Sequence, residues 1–152
     1  MAPVRSRLEA AGLTLPEAPA PAGAYVPAVR AGNLVFTAGQ LPLRGGALIS
    51  SGKVGEAVDE ETAFACARTC ALNALAAAAT VCDLDDVVRV VKVTGYVAST
   101  PGFTAQPAVV NGASDVFAAA FGDAGAHARE AVGVAVLPLD APVEVSIVLE
   151  VG

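Results

Sequence analysis

The sequence predicts an α+β domain in which strands, a helix, a strand, a second helix and two more strands build a sheet with helices on one face. Three observations carry that expectation. Two stretches, about 60–79 and 107–122, repeat apolar residues at helical spacing; several shorter runs alternate or are rich in β-branched residues; and Gly, Pro, Asn and Asp clusters punctuate the boundaries. With 152 residues, 55% of them hydrophobic and 16% charged, the chain fits a single core and needs no disulfide or metal staple to fold.

Residues 1–20 read as an N-terminal arm, in which a short amphipathic stretch, Val4 to Ala11, leads into the Pro-rich connector LTLPEAPAPAGA. One domain is expected over 21–152. From Tyr25, YVPAVRAGNLVFTAG places two apolar runs around the Ala31-Gly32-Asn33 turn and predicts a strand pair, with a weak third strand after Arg44-Gly45-Gly46. Asp59 precedes Glu60 and Glu61 as an N-cap with acidic residues in the first turn, and Phe64, Ala67, Ala71, Leu75 and Ala78 then recur at helical spacing. VVRVVKVTGYVA predicts a central strand. A second helix carries Val109, Ala113, Val116, Phe117 and Ala120 and stops at Gly122. REAVGVAVLP and PVEVSIVLEV are the closing strands.

Charge and ligand chemistry exclude several functions. Nine Lys plus Arg against fifteen Asp plus Glu, a formal charge of -6, leave no basic field for nucleic acid. Cys66, Cys70 and Cys82 are odd in number and lack CxxC spacing, which predicts a reducing, cytoplasmic setting. His127 is the only histidine, so an ordinary metal site is not expected. The N-terminus MAPVRSRLEAAG lacks the apolar run of an export signal, and the uncharged helical stretch from Thr69 to Cys82 falls short of the roughly 20 residues that span a bilayer. No membrane partner is expected.

Charges set inside apolar strands are the informative ones, because an unpaired buried charge is costly. Arg129, Glu144 and Glu150 are such cases. Spacing alone is equally satisfied by side chains turned to solvent. If the last two strands run antiparallel in one sheet, Glu144 lies near their connection and Arg129 about 20 Å away, too far to share a pocket within one chain. A site using both would then lie between subunits.

GAYVPAVRAGNLVFTAGQLPL, followed much later by ARxxVGVxxLPxxxxVEV, resembles the RidA (YjgF-like) family of reactive intermediate deaminases. The resemblance covers roughly 21–152 and is most specific at Gly39-Gln40-Leu41-Pro42, Asn111, the Arg129 run ending in Leu137-Pro138, and Glu144. It implies a chorismate-mutase-like fold, βαβαββ with an extra N-terminal hairpin strand, in a mixed sheet, assembled as a homotrimer with clefts between subunits. It also implies cofactor-free hydrolysis of small carboxylated enamines or imines to a 2-keto acid and ammonia. In that scheme Arg129 grips the substrate carboxylate and Glu144 polarises a water. Backbone groups near Gly39 and Ala131 complete the cradle, which Tyr25 and Asn111 line. Ala38 stands where many members have serine, and Ala131 where the deaminase branch often has cysteine. Thr37 is the candidate replacement for the missing hydroxyl. The departures at 38 and 131, a longer Phe103–Asn111 interval and the extended arm mark a longer branch. The same cleft holding a keto acid without turnover is the alternative; endoribonuclease activity ranks below both because the chain is acidic.

Overall fold

The structure is a computed structural model that describes residues 2–18, 20–21 and 23–152. Its long central helix starts where the sequence caps it. Asp59 accepts a hydrogen bond from the Thr62 backbone N–H at 2.7 Å, and α2 then runs Glu60–Ala78. From Cys66 onward most of its circumference is buried, by the sheet on one side and a small hairpin, β3 (Leu43–Arg44) and β4 (Ala47–Leu48), on the other. Asn73, 2% exposed, donates to the carbonyls of Leu41 and Leu43 at 3.0 and 2.9 Å, which ties the hairpin to the helix. The polar positions of α2 therefore hold a covering loop, while its small Ala and Cys side chains face the core.

The main sheet contains β1 (Ala28–Ala31), β2 (Leu34–Thr37), β5 (Val87–Ala98), β6 (Ala128–Val134) and β7 (Val143–Val151), in the order β1-β2-β7-β5-β6. All neighbours are antiparallel except β5 and β6, so the sheet is mixed. Strict alternation sets its two faces: Val143, Val145, Ile147, Leu149 and Val151 are buried under the helices, while Glu144, Ser146, Val148 and Glu150 turn the other way. The second helix on the covered face is α3 (Gln106–Phe121), which ends at Gly122 with φ 59. Two glycines let it settle: a Cβ on Gly112 would strike the Phe64 carbonyl oxygen of α2, and one on Gly95 would strike Val110.

The segment expected as an arm contributes to this core. Helix α1 (Val4–Ala10) buries Val4 and Leu8, Leu13 and Leu15 pack beside them, and the Val4 N–H donates to Asp85 at 2.8 Å. Of the Pro-rich connector, Pro19 and Ala22 lie outside the described residues. The expected 20 Å separation of Arg129 and Glu144 also changes. The closing strands are antiparallel but not neighbours, because β5 lies between them. The register puts Arg129 beside Val93 and Ile147, and Glu144 beside Tyr96 and hence Val132. Three residues along and two strands across give about 14 Å in the plane of the sheet. Among the described residues, no helix is long and apolar enough to cross a membrane.

Candidate functional site

Arg129 sits on β6, an edge strand, so alternate backbone groups around Ala131 face away from the sheet. Its side chain leaves on the helix face, since its register partners Val93 and Ile147 are core residues. There the guanidinium meets α3. Nη1 donates to Asn111 Oδ1 at 2.8 Å and to Ser114 Oγ at 3.1 Å, and Nη2 donates to the Pro107 carbonyl at 3.3 Å. A guanidinium has five N–H donors. These three bonds hold the fork and leave Nε–H and one Nη2–H for an incoming anion, which can take them side by side as a carboxylate does. Asn111, named from the sequence, is thus one of the residues that orient Arg129. Ala131, two residues on, is partly buried against the core and offers only its backbone.

Glu144 occupies the opposite face. Segment 38–40 runs against it: Gln40 and Val145 exchange backbone hydrogen bonds at 2.8 and 3.0 Å, and the Ala38 N–H donates to the Pro27 carbonyl at 2.8 Å. Gly39 lies so close to the Glu144 carboxylate that a Cβ there would overlap Oε2. Burial raises the Glu144 carboxyl above its ordinary value, which makes its ionised form a better proton acceptor. Tyr25 precedes β1 at the same end of the hairpin and is 51% exposed. Thr37 Oγ1 accepts the Ile147 N–H at 3.0 Å, which ties it to the β2–β7 ladder and still leaves its O–H as a donor.

The residues expected to form one site therefore separate into two sets. Gly39 and Glu144 meet at one place, with Ala38 and Tyr25 at the same end of the hairpin, while Asn111, Arg129 and Ala131 lie at another, and the sheet stands between the two charged groups. The open face between β1 and β6 carries Val29, Phe36 and Val132, each 43–52% exposed, with no helix over it among the described residues.

The sequence profile described as "YjgF/chorismate_mutase-like, putative endoribonuclease" matches residues 5–151. The chain belongs to the YjgF/RidA family. "Protein TCP17" of Trypanosoma cruzi is 43% identical over 149 residues, covering 97% of this chain and 93% of that protein. Among solved structures, Atu1372 from Agrobacterium tumefaciens is 43% identical with a TM-score of 0.90, covering 98% of this chain and 92% of that one. RidA from the Antarctic bacterium Psychrobacter sp. PAMC 21119 is 30% identical with a TM-score of 0.62, covering 89% and 94%. The YjgF/RidA match begins at residue 5, inside α1, in keeping with the packing of that helix into the core.

Two residues beside the family positions were not marked by sequence reasoning. Ser114 had no local signal, being one polar residue in an apolar helix. His127 places Nε2 2.9 Å from Ser114 Oγ and Nδ1 2.6 Å from the Gly125 carbonyl. Cys66 and Cys70 are buried in the core, and burial pushes the Cys66 thiol up to about 11.

Proposed function

We propose that this YjgF/RidA protein hydrolyses small carboxylated imines and enamines to a 2-keto acid and ammonia, without a cofactor, in clefts between the subunits of a homotrimer. The observation that carries this reading is the Arg129 fork, held by Asn111, Ser114 and Pro107 with two donors to spare. A protonated imine is already electrophilic, so anchoring its carboxylate beside a held water supplies most of what the reaction needs. Glu144, raised by burial, is suited to take a proton from that water as it attacks the C=N carbon. Because Arg129 and Glu144 leave opposite faces of one sheet, a neighbouring subunit must supply one of them, and the exposed apolar face through Val29, Phe36 and Val132 supports such an assembly.

The test is turnover of 2-aminoacrylate or 2-iminobutyrate, read by semicarbazone competition, together with native mass spectrometry. Three copies per assembly and Arg129-dependent turnover are expected. An Arg129→Ala protein as active as its parent would refute the assignment. Keto acid binding without turnover is the second reading, favoured by Ala38, which lacks the hydroxyl that many family members carry at that position. Binding of 2-ketobutyrate with no imine consumed would select it.

A further inference from the structure

On the side of α2 away from the sheet, the chain that follows α1, Gly12 to Glu17, faces the β3–β4 hairpin, and together with the helix they line a cavity of about 930 Å3. That is room for a small organic molecule. Leu13, Leu43 and Leu72 give it an apolar wall, and Arg44 and Arg68 stand at its edge. In a chain with a formal charge of -6, neither arginine makes an ion pair among the described residues. The Arg68 guanidinium lies 5.4 Å from the centre of the Phe64 ring, and Arg44 Nη2 donates to Thr69 Oγ1 at 3.4 Å. Glu17 also lines the cavity and pairs with neither.

The floor holds two polar groups with bonding capacity left. Thr69 and Asn73 stand one helical turn apart on α2, 5% and 2% exposed, and both line the cavity. Thr69 Oγ1 accepts from Arg44, and its own O–H meets no acceptor among the described residues. Asn73 spends both N–H groups on the Leu41 and Leu43 carbonyls, and its Oδ1 meets no donor there. So one donor and one acceptor open onto the same space, and a hydroxyl group satisfies both at once because it accepts and donates. We propose that this cavity binds an amphipathic organic acid, its anionic group at Arg44 and Arg68, its apolar body on Leu13, Leu43 and Leu72, and a hydroxyl over Thr69 and Asn73. The anionic group is a carboxylate or a phosphate monoester, since either accepts from a guanidinium. The site shares no residue with the Arg129 and Glu144 sets, so it stands whatever reaction those groups perform.

Calorimetry with decanoate, 3-hydroxydecanoate, decyl phosphate and decanol tests this, carried out on the Arg129→Ala protein so that the other candidate carboxylate anchor is absent. At least one of the acids should bind and decanol should not. The tighter of decanoate and decyl phosphate identifies the anionic group. Adding Arg44→Gln and Arg68→Gln together should weaken acid binding about tenfold or more, the loss expected for a charge-assisted hydrogen bond. The 3-hydroxy acid should bind more tightly than decanoate, and Thr69→Val should remove that preference. Hydrogen exchange places the ligand without any variant: bound acid should slow exchange over 12–17 and 43–46. Failure of every acid to bind, affinity unchanged by the two arginine substitutions, or protection confined to other segments would each overturn the site.

Discussion

Arg129 and Glu144 leave the same sheet in opposite directions, Arg129 toward α3 beside Val93 and Ile147, Glu144 toward the open face beside Tyr96. Within a protomer the sheet stands between the two side chains. If neighbouring subunits share each cleft, Arg129→Ala and Glu144→Gln chains are each inactive alone but complement each other when mixed. In a randomly mixed cyclic trimer, about one interface in four pairs an intact arginine with an intact glutamate. Co-refolding the two variants in equal amounts should therefore restore about a quarter of parental turnover. No restoration, in trimers shown to be mixed, would refute shared clefts.

Gly39 is the residue on which the Glu144 carboxylate rests, and a methyl group there would occupy the space of Oε2. Gly39→Ala should push the carboxylate aside and lower kcat roughly a hundredfold, at the low end of what a positioned acid or base contributes. Arg129 is untouched by this change, so 2-ketobutyrate binding by calorimetry should persist. Parental kcat in Gly39→Ala would show that Glu144 need not be held where it lies.

Burial raises the Glu144 carboxyl in the folded chain, so the folded state binds this proton more readily than the unfolded state does. The stability contribution is complete below the ordinary carboxylate range and is lost as pH rises through the folded value. A neutral amide escapes that loss. Glu144→Gln is thus expected to be more stable than the parent near pH 7, with the advantage shrinking toward about pH 4. Urea unfolding at the two pH values checks this, and a constant difference would mean that desolvation is not what burdens Glu144.

The elements were legible where local chemistry determines them. Asp59 with Glu60 and Glu61 marked the start of α2 to the residue, and the alternating run that closes the chain is strand β7. Pairing was not legible, because alternation states which face a side chain takes and not which strand lies beside it. Hence β5 between β6 and β7 was not anticipated. The amphipathic pair Val4 and Leu8 was visible, but the prolines after it pointed to an arm, and only packing against the core shows its burial. Arg129 and Glu144 stood out as charges inside apolar strands, and Asn111 was found through a family pattern. Ser114 and His127 depend on a contact across thirteen residues that no local signal announces.

At Gly112 the two covering helices approach so closely that an added Cβ would meet the Phe64 carbonyl oxygen. Two effects of Gly112→Ala oppose each other. Alanine favours a helix interior over glycine by about 1 kcal/mol, while overpacking a close core contact costs about 1 to 3 kcal/mol. The obstacle here is backbone rather than the end of a flexible side chain, so relief requires α2 and α3 to move apart along their whole contact. The cost should therefore lie at the upper end and outweigh the propensity gain. A net loss of roughly 1 to 2 kcal/mol corresponds to a melting temperature lower by about 3 to 7 °C for a chain of this size. Calorimetry reads the shift directly. A melting temperature equal to or above the parent's would mean that the helices do not pack at Gly112 as described.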